Sequence, residues 1–174
     1  MLKIKKMTYP ILYSFKRCPY AMRARMALYL AKIKTEIREV RLNNKPKHML
    51  KVSPKGTVPI LVLDAEVIDE SNDIIRWVLN RKNIFQKDSD SNTKTLTEDL
   101  ITIFDNKFKY HLDRYKYSTR YENVDIEFHR LECLKILIEL EKHITSDSTD
   151  WIFNDIPSKL DICILPCLLY TSDA

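Results

Sequence analysis

Residues 83–92, N-I-F-Q-K-D-S-D-S-N, carry no hydrophobic period, and the chain reads differently on either side of them. Before this stretch, short apolar runs alternate with helical stripes. After it, no strand pattern occurs. Such a chain calls for an α/β part and an all-α part joined by a polar linker. We read residues 8–82 as the first domain, 83–92 as the linker and 93–174 as a helical second domain. The 174 residues suit one average domain or two small ones.

In the first part, P-I-L-Y-S-F (10–15) reads as a buried strand. From Pro19, the residues Ala21, Ala24, Leu28 and Ala31 fall on one helical stripe. Residues 36–42, E-I-R-E-V-R-L, alternate like a half-buried strand. Residues 46–52 suggest a short helix. S-P-K-G (53–56) is a turn and holds the chain's one glycine. V-P-I-L-V-L is a further strand, and D-A-E is a tight connection to V-I-D. Residues 71–81 return to helical spacing through Ile74, Ile75, Val78 and Leu79. The order is βαβαββα. A crossover helix implies that the first two strands run parallel, and a hairpin implies that the last two run antiparallel.

In the second part, Leu96, Leu100, Ile103, Phe104, Phe108, Leu112 and Tyr115 trace one long amphipathic helix. Phe128, Leu131, Leu134, Ile138 and Ile144 trace another. A third starts at S-K-L-D (158–161), where Ser158 and Asp161 can each accept a bond from the other's backbone N–H, as in a capping box.

Composition excludes several classes. At 45% apolar and 30% charged, the chain is an ordinary globular one. No apolar run approaches the ~20 residues of a membrane span, and the basic N-terminus lacks a signal peptide's apolar stretch. A cytoplasmic location and no membrane partner are therefore expected. The net charge of +5 comes with 24 acidic residues interspersed among the basic ones, so no nucleic-acid partner is expected. The four cysteines, Cys18, Cys133, Cys163 and Cys167, form no C-x-x-C pair and no metal-type cluster. No metal is expected, and all four should be thiols. Cys163 and Cys167, at i and i+4, share one helix face and read as core.

Cys18 differs from the other three. It stands in K-R-C-P-Y-A at a strand-to-helix junction. A thiol there faces unpaired backbone N–H groups and the positive end of the helix dipole, and both favour thiolate. Pro19 suits the first helical turn because its missing N–H would be unpaired there anyway. Arg17 adds positive charge, and Arg23 and Arg25 lie one to two turns along. The same features also describe a buried cysteine at a helix start.

Taken together, C-P-Y-A after a strand, L-N-N-K-P, T-V-P-I-L, D-E-S-N-D-I, Y-H-L-D-R-Y-K-Y and W-I-F-N-D-I-P-S-K-L-D-I-C-I resemble the cytosolic glutathione transferases. The pattern is most similar to the cysteine-type, omega-like branch and its bacterial relatives. The resemblance reaches to about Pro166. It implies a thioredoxin-like N-terminal domain followed by a helical one, with glutathione as co-substrate. It also implies a cis Val58–Pro59 step, which leaves the backbone of Val58 to pair with the cysteinyl part of glutathione. Glu70 would hold the γ-glutamyl ammonium and Ser71 its carboxylate, although an acid and a serine also favour any helix start. Lys45 would pair with the glycyl carboxylate.

Ala21 stands where a dithiol motif has its second cysteine. The implied activity is therefore monothiol: Cys18 takes up glutathione and a second glutathione releases it. The partner would be a small electrophile, oxidant or mixed disulfide. Tyr13 and Ser14 could be proposed as hydroxyl catalysts, but they read as strand residues on opposite faces. Tyr110, His111, Arg114, Tyr115 and Tyr117 are candidates for second-substrate contacts, a homodimer interface or a plain solvated face. A competing reading is a non-catalytic binding module of the same fold, like the stringent-starvation proteins that bind RNA polymerase.

The end departs from the family. C-L-L-Y-T-S-D-A continues no helical pattern, and the family's further helices are missing. We read the helical domain as truncated, with the last eight or so residues non-native. Asn154 stands where relatives have glycine.

Overall fold

The structure is a computed structural model and describes residues 8–85, 91–144, 150–153 and 155–171. The centre of the polar stretch (86–90), Asn154 and the final three positions lie outside the described residues. The chain divides into two compact units, one ending at Ile84 and the other starting at Phe85.

Strand β1 (Ile11–Ser14) is central in the first unit, and all four of its residues are buried. It runs parallel to β2 (Glu36–Glu39) on one side and antiparallel to β3 (Ile60–Val62) on the other. β3 in turn pairs antiparallel with β4 (Val67–Ile68), giving the order β2-β1-β3-β4. Helix α1 (Pro19–Leu30) makes the crossover from β1 to β2, α2 (Lys47–Val52) precedes β3, and α3 (Ser71–Leu79) follows β4. This is the expected βαβαββα order with the expected strand directions.

Alternation along β1 and β3 divides the core. Ile11, Tyr13, Ile60 and Val62 cluster with Val40 and Met49. Leu12 and Leu61 point the other way and are also buried. α1 and α3 pack on one another, with Ala21, Ala24, Ala27, Leu28, Ile74, Ile75 and Val78 buried. The small alanines let α1 approach closely.

Strand β2 is shorter and more exposed than its alternation suggests. It ends at Glu39, and Ile37 is 55% exposed. It is an edge strand with β1 as its sheet neighbour, so no second strand covers it. Val40 N still donates to Ser14 O at 2.8 Å before the chain turns away.

In the second unit, α4 (Ser91–Ile103) begins inside the stretch read as linker. It continues through a π-helical segment (Phe104–Phe108) into α5 (Lys109–Lys116). The buried Leu100, Phe104, Phe108 and Leu112 are each four residues apart. In a straight α-helix each step of four overshoots a turn by about 40°, so this row would wind off the core. The wider π turn takes that drift back. Ahead of the wide turn, Ile103, expected on the stripe, is exposed and Ile101 is buried instead, in ordinary α-helical spacing with Thr97 and Phe104.

Helix α6 (Ile126–Glu141) turns a different face inward from the one its leucines suggest. Phe128, Leu131, Leu134 and Ile138 are exposed, as is Ile144 beyond the helix end. His129, Cys133, Ile136 and Leu140 are buried, at i, i+4, i+7 and i+11. α6 carries apolar residues on two faces. The one that packs on α5 is the one holding His129, whose ring is bonded to His111.

Helix α7 (Lys159–Thr171) opens with the expected capping box. Asp161 Oδ2 accepts from Ser158 N at 2.7 Å, and Asp161 N donates to Ser158 Oγ at 3.3 Å. Asp161 Oδ1 also accepts from Ile152 N at 3.0 Å. Residues 167–171 are helical, against the reading that the pattern stops at Pro166. Proline inside a helix removes one backbone bond. Packing of Ile162, Cys163, Pro166 and Cys167, all buried, carries the helix past that gap. Tyr170 Oη lies 2.6 Å from Tyr117 Oη and fastens the last turn to α5's C-terminal end.

Candidate functional site

Cys18 occupies the N-cap of α1, with extended backbone (φ −77°, ψ 119°) and Pro19 as the first helical residue. It is half-buried, and its side chain caps no backbone N–H of the helix. Its own N–H donates to Phe15 O at 3.1 Å, and its carbonyl accepts from Met22 N at 2.9 Å. Its Sγ–H points to the carbonyl of Val58, 40 residues on, at 3.7 Å. The Val58–Pro59 bond is cis, as the resemblance implied.

The turn before Val58 is held from both sides. Gly56 sits at φ +64° and its N–H donates to Ser53 O at 3.1 Å. A Cβ built on Gly56 would stand 3.6 Å from Lys45 Nζ, so that amine lies directly beside the turn. Ser53 Oγ donates to Asp69 Oδ2 at 2.6 Å, and Lys55 forms an ion pair with Glu70. Glu70 is the exposed N-cap of α3, and Ser71, its first residue, is buried.

The fold thus gathers Cys18 with Val58–Pro59, Lys45 with Gly56, and Glu70–Ser71 with the same 53–56 turn. Lys55 is the member that sequence reasoning passed over. Its signal was its place in the P-K-G turn, three residues before Val58, but its acid lies 15 residues away.

The neighbouring hydroxyls are committed elsewhere. Tyr13 Oη is 2.7 Å from His48 Nδ1 and accepts from Arg38 Nη1 at 3.2 Å. Ser14 Oγ accepts from Arg25 on α1. The two side chains leave opposite faces of β1. The other three thiols are less accessible than Cys18. All three are buried, and desolvation pushes Cys133 up to about 11, with Glu132 adding to the rise.

Several residues of the aromatic stretch on α5 make contacts within the second unit, while Tyr110 stays exposed. His111 is buried against His129, Arg114 stacks on Tyr110 and Tyr121, and Tyr117 meets Tyr170. Among the described residues no group of three or more His, Cys, Asp or Glu is arranged to hold a metal, and no helix is long and apolar enough to cross a membrane.

Residues 12–86 match the family model for the glutathione S-transferase N-terminal domain. A "probable glutathione transferase" from Aplysia californica is 36% identical over 56 residues, which are 32% of this chain and 61% of that one. The match therefore spans less than two-thirds of that relative's length. Among solved structures, glutathione transferase Omega 3C from Trametes versicolor superposes with a TM-score of 0.78 at 19% identity, covering 94% of this chain and 69% of that chain. A glutathione S-transferase from Methylobacillus flagellatus, solved with glutathione bound, gives 0.76 at 20% identity, covering 94% and 83%. These structural likenesses show the fold: a thioredoxin-like domain followed by a helical one. The chain is thus similar over residues 12–86 to the N-terminal domain of glutathione S-transferases, and similar in fold to glutathione transferases over most of its length.

Proposed function

We propose that this protein is a glutathione-dependent thiol transferase with Cys18 as its nucleophile. The observation that carries this reading is the juxtaposition of the Cys18 thiol and the Val58 carbonyl across 3.7 Å, at a helix N-terminus. The cysteinyl part of glutathione pairs with the Val58 backbone beside Pro59 in the manner of an added strand, which brings its sulfur to Cys18. Lys45 takes the glycyl carboxylate. Glu70 takes the γ-glutamyl ammonium and Ser71 its carboxylate.

The reaction is two thiol–disulfide exchanges. The Cys18 thiolate attacks the glutathione sulfur of a mixed disulfide. A Cys18–glutathione bond forms, the old S–S bond breaks, and the substrate leaves as a thiolate that picks up a proton from water. A second glutathione, as thiolate, then attacks the adduct. Glutathione disulfide leaves and Cys18 is again a thiolate. Ala21 leaves the protein no second cysteine at that position to do this step. The substrate is a glutathione mixed disulfide or a small oxidant.

Incubation with a glutathione mixed disulfide should give one glutathione adduct, located at Cys18 by peptide mass, and turnover that vanishes in Cys18→Ala. An unmodified wild-type protein without turnover rejects the mechanism. Retention on immobilised glutathione that persists unchanged in the Glu70→Ala, Ser71→Ala double variant rejects the assigned binding residues.

A further inference from the structure

We propose that Arg25 is a positioning residue for the Cys18 thiol; this rests on the reading of Cys18 as nucleophile. Arg25 lies on α1 seven residues after Cys18, and its guanidinium reaches back under the loop that leads to the cysteine. Nη1 donates to Ser14 Oγ and, at 3.3 Å, to Phe15 O; Nη2 donates to Lys16 O at 2.9 Å. One planar group therefore grips three consecutive residues.

The grip acts where the cysteine is placed. The Phe15 carbonyl that Arg25 holds also accepts from Cys18 N. Around it, Ser14 O accepts from Val40 N at 2.8 Å, and Lys16 N donates to Glu39 Oε1 at 2.8 Å. Sheet edge, loop and helix are thereby locked into one geometry, with Cys18 at the N-cap. A thiolate there gains from the positive end of the helix dipole only while the N-cap geometry holds it at that end. A guanidinium can make these bonds because its donors form a rigid fork. A lysine keeps the charge but is a single point donor.

The test follows alkylation of Cys18 by iodoacetamide, in which the thiolate sulfur displaces iodide. The rate is read by peptide mass across pH, with Cys133, Cys163 and Cys167 as references in the same chain. Both Arg25→Gln and Arg25→Lys should shift the Cys18 profile to higher pH and slow the reaction at pH 7 by about threefold or more. A role confined to folding would lower the melting temperature and leave the profile in place. An Arg25→Lys profile that superimposes on wild type overturns the positioning role, because charge alone then suffices. If Arg25→Gln does not fold, the Arg25→Lys profile decides. A wild-type Cys18 that reacts no faster than the buried thiols overturns the nucleophile reading and this proposal with it. A reactive wild type with unchanged variants overturns only the proposal.

Discussion

His111 and His129 face each other with their Nδ1 atoms 2.8 Å apart, and both rings are buried. One nitrogen must donate and the other accept, so the contact needs one proton on the pair of Nδ1 atoms. Burial holds His111 below the ordinary histidine range. The charge of His129, and those of Lys107 and Arg114, push the same way, while Glu132 pushes back. Tyr110 and Phe128 close the rings in edge-on. In the unfolded chain the same histidine takes up a proton near its ordinary value of about 6.5. The unfolded state thus binds more protons as pH falls below that value, and stability is lost. The melting temperature should drop between pH 7.5 and 5.5, and drop less in His129→Gln. A wild-type profile that is flat over this range would count against the account.

The four thiols should separate cleanly by chemistry. Treated with glutathione disulfide at pH 7, the folded protein should take one glutathione, on Cys18. Cys133, pushed up to about 11, stays a thiol at that pH, and Cys163 and Cys167 are buried. Peptide mass mapping checks this, and modification of Cys133 at a rate comparable to Cys18 would contradict it.

Gly56 is the one glycine the chain spends, and it spends it beside the candidate site. An alanine there would sit at φ +64° with its Cβ 3.2 Å from Leu50 Cδ2. Gly56→Ala should cost about 1–2 kcal/mol from the left-handed backbone alone. It should also weaken retention on immobilised glutathione, because a strained turn pushed off Leu50 would shift relative to Lys45, whose Nζ lies beside it. Chemical denaturation and the affinity assay together check the two halves.

Helix α1 ends in a Schellman motif that lacks the usual glycine. Ile33 N donates to Leu28 O at 3.0 Å and Lys32 N to Tyr29 O at 2.9 Å, with Lys32 at φ 55°. Lys32→Gly relieves that conformation at some cost in unfolded-chain entropy, for a net gain of roughly 0.5–1 kcal/mol. A loss of stability in this variant would show that the lysine's side chain does more than cap the turn.

Asp161 is buried and accepts three hydrogen bonds, from Ser158 N, Ser158 Oγ and Ile152 N. Asp161→Ala leaves those donors unpaired and should cost about 2–4 kcal/mol. Asp161→Asn, which keeps one acceptor oxygen, should cost less. Equal losses in the two variants would mean that the carboxylate's bonds are not what matters there.

Local signals were readable where the partner was near in sequence. The apolar run before Cys18, Pro19 at the first helical position and the Ser158–Asp161 reciprocity each lie within a few residues, and each took its expected form. The face of α6 was misread because two apolar rows compete on it. The row that won includes a histidine, whose burial depends on a second histidine 18 positions earlier. The Lys55–Glu70 pair and the Arg25 fork were hidden for a related reason. Each needs a turn or loop folded back on a helix, and no periodicity records that.

The π-helical segment bears on insertions and deletions. Removing one residue between 104 and 108 would let the segment wind as ordinary α-helix, and four α residues turn the chain through about the same 400° as the five residues of the wide turn. His111 would keep facing His129, and Leu112 would keep its place in the row behind Phe104, whereas one residue added without a second wide turn would swing both away by about 100°. The reading frame of the packing, as distinct from its composition, is carried by that single wide turn.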